Sequence, residues 1–195
     1  HHTYGLDVTT TNSSNNYGPF QFPEKLIPLF FLNILQGKDL PLYGDGKNVR
    51  DWLHVEDHCR GIEAVLESGG VGEVYNIGGE CELTNLQLVD LICSAADESF
   101  EEIPSLAARF PRAPQSKGRR ARELIRFTKD RPGHDRRYAI NTTKISYELG
   151  FQPNAVVTTG LQETFHWYLD HEAWWSGILD GSYRDWLVQN YGGDL

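Results

Sequence analysis

The chain has 195 residues, carries a formal net charge of −9 at pH 7, and is 39% hydrophobic and 12% aromatic. This composition is typical of a globular domain with its own core, and the negative charge disfavours a nucleic-acid partner because it would repel a phosphate backbone. The longest apolar run, residues 27–32, is too short to cross a bilayer, and no charged-then-apolar leader opens the chain. No membrane association is therefore predicted.

Cysteine and histidine usage argues against metal binding and disulfides. Cys59, Cys81 and Cys93 show no paired spacing, so neither a disulfide framework nor a zinc site is predicted, and a reducing cytoplasm is the simplest location. His54 and His58 lie four residues apart, but no third metal ligand accompanies them. The sequence contains no methionine. Since translation begins with one, the chain is expected to be part of a longer protein.

The first elements are predicted to be a helix end, a buried strand and a polar loop. Residues 1–5 are interpreted as the end of a helix that Gly5 stops. Residues 6–11 favour a strand covered on both faces, as in a parallel sheet, because Val8 to Thr11 are all β-branched. Short polar side chains then follow up to Gly18-Pro19: Asn12, Ser13, Ser14, Asn15 and Asn16. Open α/β sheets bind ligands beyond the carboxyl ends of their strands, so this loop is either a ligand site or an ordinary turn.

A helix is predicted from Pro23 to a stop at Gly37, with apolar residues at helical spacing. Pro28 lies early enough in this helix to be tolerated or to kink it. Lys25, in the first turn, either directs its ammonium to an anion beside the free backbone N–H groups or is simply solvated.

The next segment predicts a β-hairpin. Residues 40–43 and 49–53 flank Gly44-Asp45-Gly46, which has the composition of a tight turn. Arg50 on the second arm is a candidate clamp for a diphosphate, because a planar guanidinium offers paired donors. The alternative is an ordinary surface ion pair between Arg50 and Asp51 or Asp45.

The middle of the chain alternates helix and strand. A helix is predicted at 57–68 with Cys59, Ile62 and Leu66 on one side, and a buried strand at 73–77 that contains Asn76. A capping box, residues 84–87, opens a helix that runs toward Asp97. Residues 98–122 lack periodicity and are interpreted as a mobile excursion or as an insertion over the site. The basic residues in and after this segment form either a solvated face or a local basic pocket: Lys117, Arg119, Arg120, Arg122 and Arg126.

The last third contains one charged turn and two helices. A strand at 124–128 leads into a turn built around Pro132-Gly133. Asn141 is predicted to cap a helix that Gly150 ends, and a second capping box at Thr159 to open another helix. In that second helix, Leu161, Phe165 and Leu169 are predicted to pack against the body. The aromatic residues of the C-terminal region are interpreted as core or interface packing: Trp167, Trp174, Trp175, Tyr183, Trp186 and Tyr191.

Several sequence motifs resemble the C-terminal half of the dTDP-glucose 4,6-dehydratases, which are extended short-chain dehydrogenases. The motifs are Asn-Asn-Tyr-Gly-Pro at 15–19, Pro-Glu-Lys-Leu-Ile-Pro at 23–28, Tyr-Gly-Asp-Gly at 43–46, Arg-Asp-Trp at 50–52, Tyr-Asn-Ile-Gly-Gly at 75–79 and Asp-Arg-Pro-Gly-His-Asp-Arg-Arg-Tyr at 130–138. The Gly-Asp-Gly and Asn-Ile-Gly motifs also recur in nucleotide-sugar epimerases and decarboxylases. The motifs at 23–28, 50–52 and 130–138 are more specific to the dehydratases.

The resemblance implies an α/β fold. Residues 1–195 would form the C-terminal portion of an NAD(P)-binding Rossmann-type extended short-chain dehydrogenase. A small mixed substrate-binding subdomain would be joined by two strands, near 6–11 and 74–77, that belong to the Rossmann sheet.

The resemblance also implies an activity for the full-length enzyme, expected to be a homodimer. That enzyme would use bound NAD to convert dTDP-glucose into dTDP-4-keto-6-deoxyglucose and water, a step of deoxysugar biosynthesis. The sequence contains no G-x-G-x-x-G pattern. The dinucleotide fingerprint and the catalytic residues are expected in an absent N-terminal half, so this chain alone is expected to be inactive and to self-associate.

Finally, the resemblance implies binding residues in this chain. Asn15, Asn16, Lys25 and Leu26 would lie near the sugar and phosphates, Pro41, Leu42 and Tyr43 at the base, Arg50, Asn76 and Arg131 on the diphosphate, and Asp130, His134 and Tyr138 around it. Ser14 and Asn15 are assigned to NAD, and no metal or catalytic residue is assigned. Two alternatives stay open: a UDP-sugar epimerase or decarboxylase of the same superfamily, and a non-catalytic sugar-nucleotide-binding module.

Overall fold

The structure is a computed structural model that describes residues 1–130, 132–179 and 181. Its strands are β1 (Thr10–Ser13), β2 (Asn15–Tyr17), β3 (Leu40–Tyr43), β4 (Val49–His54), β5 (Val74–Ile77), β6 (Glu82–Thr84), β7 (Ile125–Thr128) and β8 (Arg137–Tyr138). Its α-helices are α1 (Leu26–Gln36), α2 (Val55–Ser68), α3 (Asn85–Glu102), α4 (Leu106–Arg109), α5 (Thr143–Leu149), α6 (Val157–Asp170) and α7 (Glu172–Leu179). Short 3₁₀ turns lie at Gln115–Lys117 and Ala121–Leu124. No helix among these residues is long and apolar enough to span a bilayer.

The strands form small sheets in which parallel pairing dominates. β1 pairs with β5, and β3 pairs with β7, both in parallel. β4 lies between β2, which is parallel to it, and β6, which is antiparallel, and β8 also runs parallel to β4. Parallel strands alternating with helices are typical of α/β proteins.

The core has two parts. The larger part is formed by α1, α3 and α6 with the inward residues of β3, and Phe31 packs on Phe165 there with ring centroids 4.8 Å apart. The smaller part lies between α2, β5 and α5 and is built on Leu53, Tyr75 and Ile77. Because β4 contributes Trp52 to the first part and Leu53 to the second, this strand joins the two.

The predicted polar loop after the first strand is a strand itself. β1 ends at Ser13 and β2 begins at Asn15, so the chain passes from one sheet to another at Ser14, whose backbone N–H bonds to Ile77 O at 3.1 Å. Asn15 then lies opposite Trp52 of β4. Asparagine is a poor strand former, but the hydrogen-bonding edge of β4 outweighs that preference. The interpretation of residues 12–16 as a loop is therefore wrong, since Ser14 alone among them lies outside a strand.

The opening strand is shorter and more exposed than predicted. It begins at Thr10, and Leu6, Val8 and Val74 are 58%, 44% and 47% exposed. The strand is parallel as predicted, but the described residues do not cover both of its faces. Residues 1–4 form a turn and not the end of a helix, although Gly5 does adopt a left-handed φ of 67°.

The predicted hairpin is wrong, although its turn is present. Gly46 N donates to Tyr43 O at 3.2 Å and Asp45 Oδ1 accepts from Lys47 N at 2.9 Å. The two arms separate, since β3 pairs with β7 while β4 joins β2, β6 and β8. A turn signal is local, whereas the choice of strand partner is made by distant parts of the chain.

The helix predicted at 57–68 begins at Val55 and buries a different face. Its buried residues are Asp57, Gly61 and Val65, whereas Ile62 and Leu66 are 44% and 82% exposed. The apolar stripe misled the prediction because the face that meets the body carries an aspartate and a glycine. The helix predicted from residue 23 begins at Leu26, with Pro28 in its first turn, and it ends at Gly37 as predicted.

Residues 98–122 are packed against the body, so the prediction of a mobile excursion is wrong. The capping box at Thr84 is confirmed, and α3 continues to Glu102. Leu106, Phe110 and Ala121 are then buried in the larger core. Short 3₁₀ turns have little periodicity of their own, which explains why this packing leaves no pattern in the sequence. The arginines pair with nearby carboxylates, as in Arg119–Glu123, Arg120–Glu101 and Arg122–Asp90, which favours the solvated face over the basic pocket.

The last elements follow the prediction in part. β7 and the end of α5 at Gly150 are confirmed. The cap position of α5 is Thr142 and not Asn141 as predicted, although Asn141 Oδ1 accepts from Thr143 N at 2.9 Å. The capping box at Thr159 is wrong, because α6 already begins at Val157. Leu161, Phe165, Leu169 and Trp175 are buried, and Trp167 and Trp174 pack partly buried against the core. Tyr183, Trp186 and Tyr191 lie outside the described residues.

Candidate functional site

Strand β4 brings several of the predicted site residues together. In its parallel pairing with β2, Trp52 lies opposite Asn15. In its parallel pairing with β8, Arg50 lies opposite Tyr138. The motifs at 15–19, 50–52 and 130–138, which are far apart in the sequence, therefore meet on neighbouring strands.

Arg50 lies against the backbone of the charged turn at 129–138. Its guanidinium donates to Val49 O at 2.7 Å and to Asp135 O at 3.0 Å, and the residue is half-buried. The alternative of an ion pair with Asp51 or Asp45 is wrong. Arg50 has no carboxylate partner among the described residues, and some of its five N–H donors remain available.

Asp51 is instead a buried hydrogen-bond acceptor that joins the motif at 50–52 to residues 79–81. Only 2% of the residue is exposed, and its carboxylate accepts from Gly79 N at 3.0 Å and from Cys81 N at 2.8 Å. A Cβ on Gly79 would lie 1.9 Å from Trp52 O, so this close approach requires glycine. Burial, together with the Asp51 carboxylate, raises the pKa of the Cys81 thiol, which keeps it protonated and unreactive.

The charged turn is clamped by ion pairs at its second half. Arg136 makes a paired contact with Asp45 at 2.8 and 3.2 Å, and Arg137 contacts both oxygens of Glu82 at 2.6 Å. The Arg136 hydrogen bond lowers the pKa of Asp45 to about 2, so this carboxylate stays ionised under all physiological conditions. The turn is therefore held in one place beside β4.

The first half of the turn carries His134 and Asp130. His134 Nδ1 lies 2.7 Å from Asp130 Oδ1, and the His134 side chain is only 7% exposed. Arg131 lies outside the described residues. The imidazole is thus fixed by the preceding carboxylate, with Tyr138 48% exposed at the end of the turn.

The segment predicted to contact the base presents one side chain. Tyr43 is 47% exposed at the end of β3, while Leu42 is 1% exposed and points into the core. A contact through the Leu42 side chain is therefore ruled out, because its direction on the strand is opposite to that of Tyr43. Pro41 is half-buried.

Lys25 lies at the N-terminus of α1, as the sequence suggests. It is the residue that precedes the helix, it makes no side-chain cap, and its ammonium pairs with Glu24 at 2.9 Å. With 59% of its side chain exposed, this contact is a weak surface pair that a bound anion can replace. Leu26 packs partly buried against the core, so its side chain supports α1.

Ser14 and Asn15 mark the point where the chain changes sheets. Ser14 is 5% exposed, and both Ser14 Oγ and Asn15 Oδ1 are buried atoms with no hydrogen-bond partner among the described residues. The same holds for Trp52 Nε1, opposite Asn15. Buried polar atoms are almost always paired, so three such atoms at a junction of parallel strands need an explanation.

Asn76 is used internally. Its amide donates to Asn141 O at 3.1 Å and accepts from Asn12 Nδ2 at 3.2 Å. Both ends of the side chain are therefore engaged between β1, β5 and the start of α5, which argues against its predicted contact with a diphosphate.

Asn85 is a residue that the sequence analysis did not single out. It is the first residue of α3, is 7% exposed, and donates its backbone N–H to Asn48 O at 2.9 Å. Since Thr84 lies opposite Val49, the Asn85 amide is close to the start of β4. In the sequence, the one feature that could have drawn attention to Asn85 is its position directly after the capping-box threonine, Thr84.

No group of His, Cys, Asp and Glu suited to a metal ion is found within residues 1–130, 132–179 and 181. A separate cleft lies between the N-termini of α2 and α6 and is lined by His54, Asp57, Gly160 and Glu163. None of the predicted binding residues lines this cleft.

Comparison with known proteins gives a consistent result. Residues 1–164 match the model of the family described as GDP-mannose 4,6 dehydratase. A dTDP-glucose 4,6-dehydratase from Xanthomonas campestris is 50% identical over 184 residues, 94% of this chain and 49% of that protein. One from Neisseria meningitidis serogroup B is 50% identical over 93% of this chain and 48% of that protein.

A solved structure agrees with these matches. DesIV, a dTDP-glucose 4,6-dehydratase from Streptomyces venezuelae with NAD bound, has a TM-score of 0.76 and 45% identity, and the match covers 91% of this chain and 48% of that chain. The predicted Rossmann-type fold class and the resemblance to the dTDP-glucose 4,6-dehydratases are therefore confirmed. The chain spans about half the length of the relatives that it matches. With the family model matched over residues 1–164, the chain belongs to the GDP-mannose 4,6 dehydratase family.

Proposed function

We propose that the chain provides the sugar-nucleotide-binding part of a dTDP-glucose 4,6-dehydratase. The observation that carries the proposal is Arg50, a half-buried guanidinium held by Val49 O and Asp135 O without a carboxylate partner among the described residues. A guanidinium that is held in place by carbonyl oxygens and keeps free N–H donors is suited to an anionic ligand. The 50% identity to dTDP-glucose 4,6-dehydratases favours a dehydratase over the epimerase and decarboxylase alternatives.

Tyr138, opposite Arg50 on β8, and the predicted site residues Tyr43 and Lys25 suit the parts of such a ligand. The remaining guanidinium donors would bind the diphosphate in a paired geometry that a lysine cannot provide. Tyr43 and Tyr138, both about half exposed, offer aromatic faces and hydroxyl groups for the base and sugar. Lys25, at a helix N-terminus, adds a positive charge where backbone N–H groups already favour anions.

The junction residues fit a second group. Ser14 Oγ and Asn15 Oδ1 are buried without partners, and they lie where a ligand enters an open α/β sheet. In the proposed whole enzyme, these oxygens would hold the reacting end of the sugar or the NAD beside it. NAD, which Ser14 and Asn15 would help to hold, would supply reversible hydride transfer, so that conversion of the sugar to its 4-keto-6-deoxy form with loss of water would be redox-neutral overall.

In this proposal, hydride transfer takes place on a second α/β half of the whole protein. Val74 of β5 is exposed, as are Leu6 and Val8 in the segment that leads into β1, and this exposure supports it because a parallel sheet is normally covered on both faces. This chain then binds and orients the sugar nucleotide but has no turnover of its own.

The proposal is tested by calorimetric titration of the chain with dTDP-glucose. A hydrogen bond to a charged group contributes about 1.5–3 kcal/mol, so Arg50→Ala is expected to weaken binding by about tenfold to a hundredfold. Arg126→Ala is the matched control, because Arg126 is an exposed arginine of β7 that pairs only loosely with Asp39 at 3.5 Å. Equal affinities for the wild type and a normally folded Arg50→Ala would contradict the proposal, as would no binding by the wild type at millimolar ligand.

A further inference from the structure

The side-chain amide of Asn16 is engaged within the protein at both its nitrogen and its oxygen. Its Nδ2 donates to Ser14 O at 3.0 Å and to Ser13 Oγ at 3.4 Å. Its Oδ1 lies 2.8 Å from His58 Nδ1, on the first turn of α2. Asn16 therefore ties the start of a helix to the junction between two sheets.

These contacts fix the protonation of the His58 ring. Ser14 O is a carbonyl oxygen and can only accept, so the Asn16 amide nitrogen must face it and Oδ1 must face His58. Oδ1 can only accept as well, so His58 Nδ1 carries the hydrogen. Burial lowers the pKa of His58, so near neutral pH the ring is uncharged and its single N–H is this one.

The same segment is held by a second set of contacts. Gln21 Nε2 donates to the backbone oxygen of Asn16 at 2.8 Å, and the Gln21 backbone oxygen accepts from the Tyr168 hydroxyl of α6. The peptide from Ser14 to Asn16 is thus braced by α2 through His58 and by α6 through Gln21. Its buried, unpaired oxygens, Ser14 Oγ and Asn15 Oδ1, are what this bracing keeps in place.

We propose that His58 and Asn16 are a pair of positioning residues: the Nδ1–H of His58 orients the Asn16 amide, which holds Ser14 and Asn15 in the geometry that receives the ligand. Neither residue of the pair contacts the sugar nucleotide. This inference rests on the proposed function, because it takes Ser14 and Asn15 to be ligand-binding residues.

Two nearly matched substitutions separate positioning from general packing. In His58→Asn, the amide nitrogen occupies nearly the position of the imidazole Nδ1 and can still donate to Asn16. In His58→Gln, the longer side chain carries its amide to the position of Nε2 and misses Asn16. Loss of one hydrogen bond predicts dTDP-glucose binding about threefold to tenfold weaker in His58→Gln, and His58→Asn within about twofold of the wild type.

A double-mutant cycle shows whether His58 acts through Asn16. In an Asn16→Val background, the His58→Gln change is expected to weaken dTDP-glucose binding no further. Equal binding by His58→Asn and His58→Gln, whether both normal or both impaired, would overturn the proposal, and so would additive losses in the cycle. Melting curves for each variant separate these results from unfolding.

A measurement without ligand keeps the inference distinct from the proposed function. Ring ¹⁵N shifts of His58 in the free chain are expected to show the Nδ1–H form, and amide hydrogen exchange at Asn15 and Asn16 is expected to be faster in His58→Gln than in His58→Asn. An Nε2–H ring, or identical exchange in the two variants, would overturn the positioning pair. If the wild type fails to bind dTDP-glucose while these two results hold, the proposed function fails and the bracing of Ser14–Asn16 stands as a structural feature only.

Discussion

Gly79→Ala is expected to be among the most damaging alanine substitutions in the chain. An added Cβ would lie 1.9 Å from Trp52 O, 2.6 Å from Trp52 C and 3.0 Å from Leu53 Cα. These are backbone atoms of β4, the strand that joins both parts of the core, so they cannot move as the end of a flexible side chain could. Relief of the clash would also break the Gly79 N–H bond to Asp51.

The magnitude follows from these two effects. Overpacking costs about 1–3 kcal/mol, and leaving the buried Asp51 carboxylate short of one donor costs about 1–3 kcal/mol more. A loss of about 3 kcal/mol would lower the Tm of a chain of this size by about 6–12 °C. Gly70→Ala is the matched control, because its nearest neighbour would be the flexible Glu73 side chain at 3.0 Å.

Thermal unfolding of the two alanine variants beside the wild type provides the assay. Gly70→Ala is expected to melt close to the wild type, since loss of glycine freedom in the unfolded chain offsets minor crowding. A Gly79→Ala variant that melts within 2 °C of the wild type would refute the close packing of β4 on residues 78–81.

Three further predictions concern stability and association. Thr84→Ala should cost about 1 kcal/mol by removing the N-cap of α3, whereas Thr159→Ala, inside α6, should cost almost nothing; equal Tm values would contradict the capping box. Asp57 is buried, which raises its pKa, but Arg60 at 2.5 Å and two backbone N–H groups outweigh that effect and lower it below the ordinary 3.8. A lowered carboxyl pKa gives stability that is present above pH 4 and is lost as the pH falls through the folded pKa. Asp57→Asn should therefore have a lower free energy of unfolding in urea than the wild type at pH 7, and this difference should close below pH 4. A difference that stays constant with pH would contradict this. The exposed apolar residues around β1 and β5 should make the chain self-associate at micromolar concentration in sedimentation velocity, and a monomer at every concentration would show that this surface needs no cover.

Several signals confined to a few residues predicted local structure correctly, although the capping box at Thr159 did not. The capping box at Thr84 and the helix stops at Gly37 and Gly150 were found because each depends on one or two neighbouring backbone groups. The separation of β3 from β4 could not be predicted in this way, since it depends on β7, which lies far along the chain. The buried face of α2 was missed because its contact with the body is made by Asp57 and by a glycine.

The candidate site shows the same division. The family resemblance selected segments that do meet around β4, including Asn15, Arg50 and Tyr138. It could not show which side chains within those segments have free donors or acceptors. Asn16 and Asn76 carry the same amide as Asn15, and only their hydrogen bonds reveal that both are engaged within the protein.

Binding of dTDP-glucose beside β4 is tested most directly by recording backbone and side-chain NMR signals of the chain during titration with this ligand. Binding at the proposed position predicts that the largest shifts occur at Tyr43, Arg50 and Tyr138, with smaller ones at Ser14 and Asn15. Shifts centred instead on the cleft between α2 and α6, at His54 and Glu163, would contradict the proposed site.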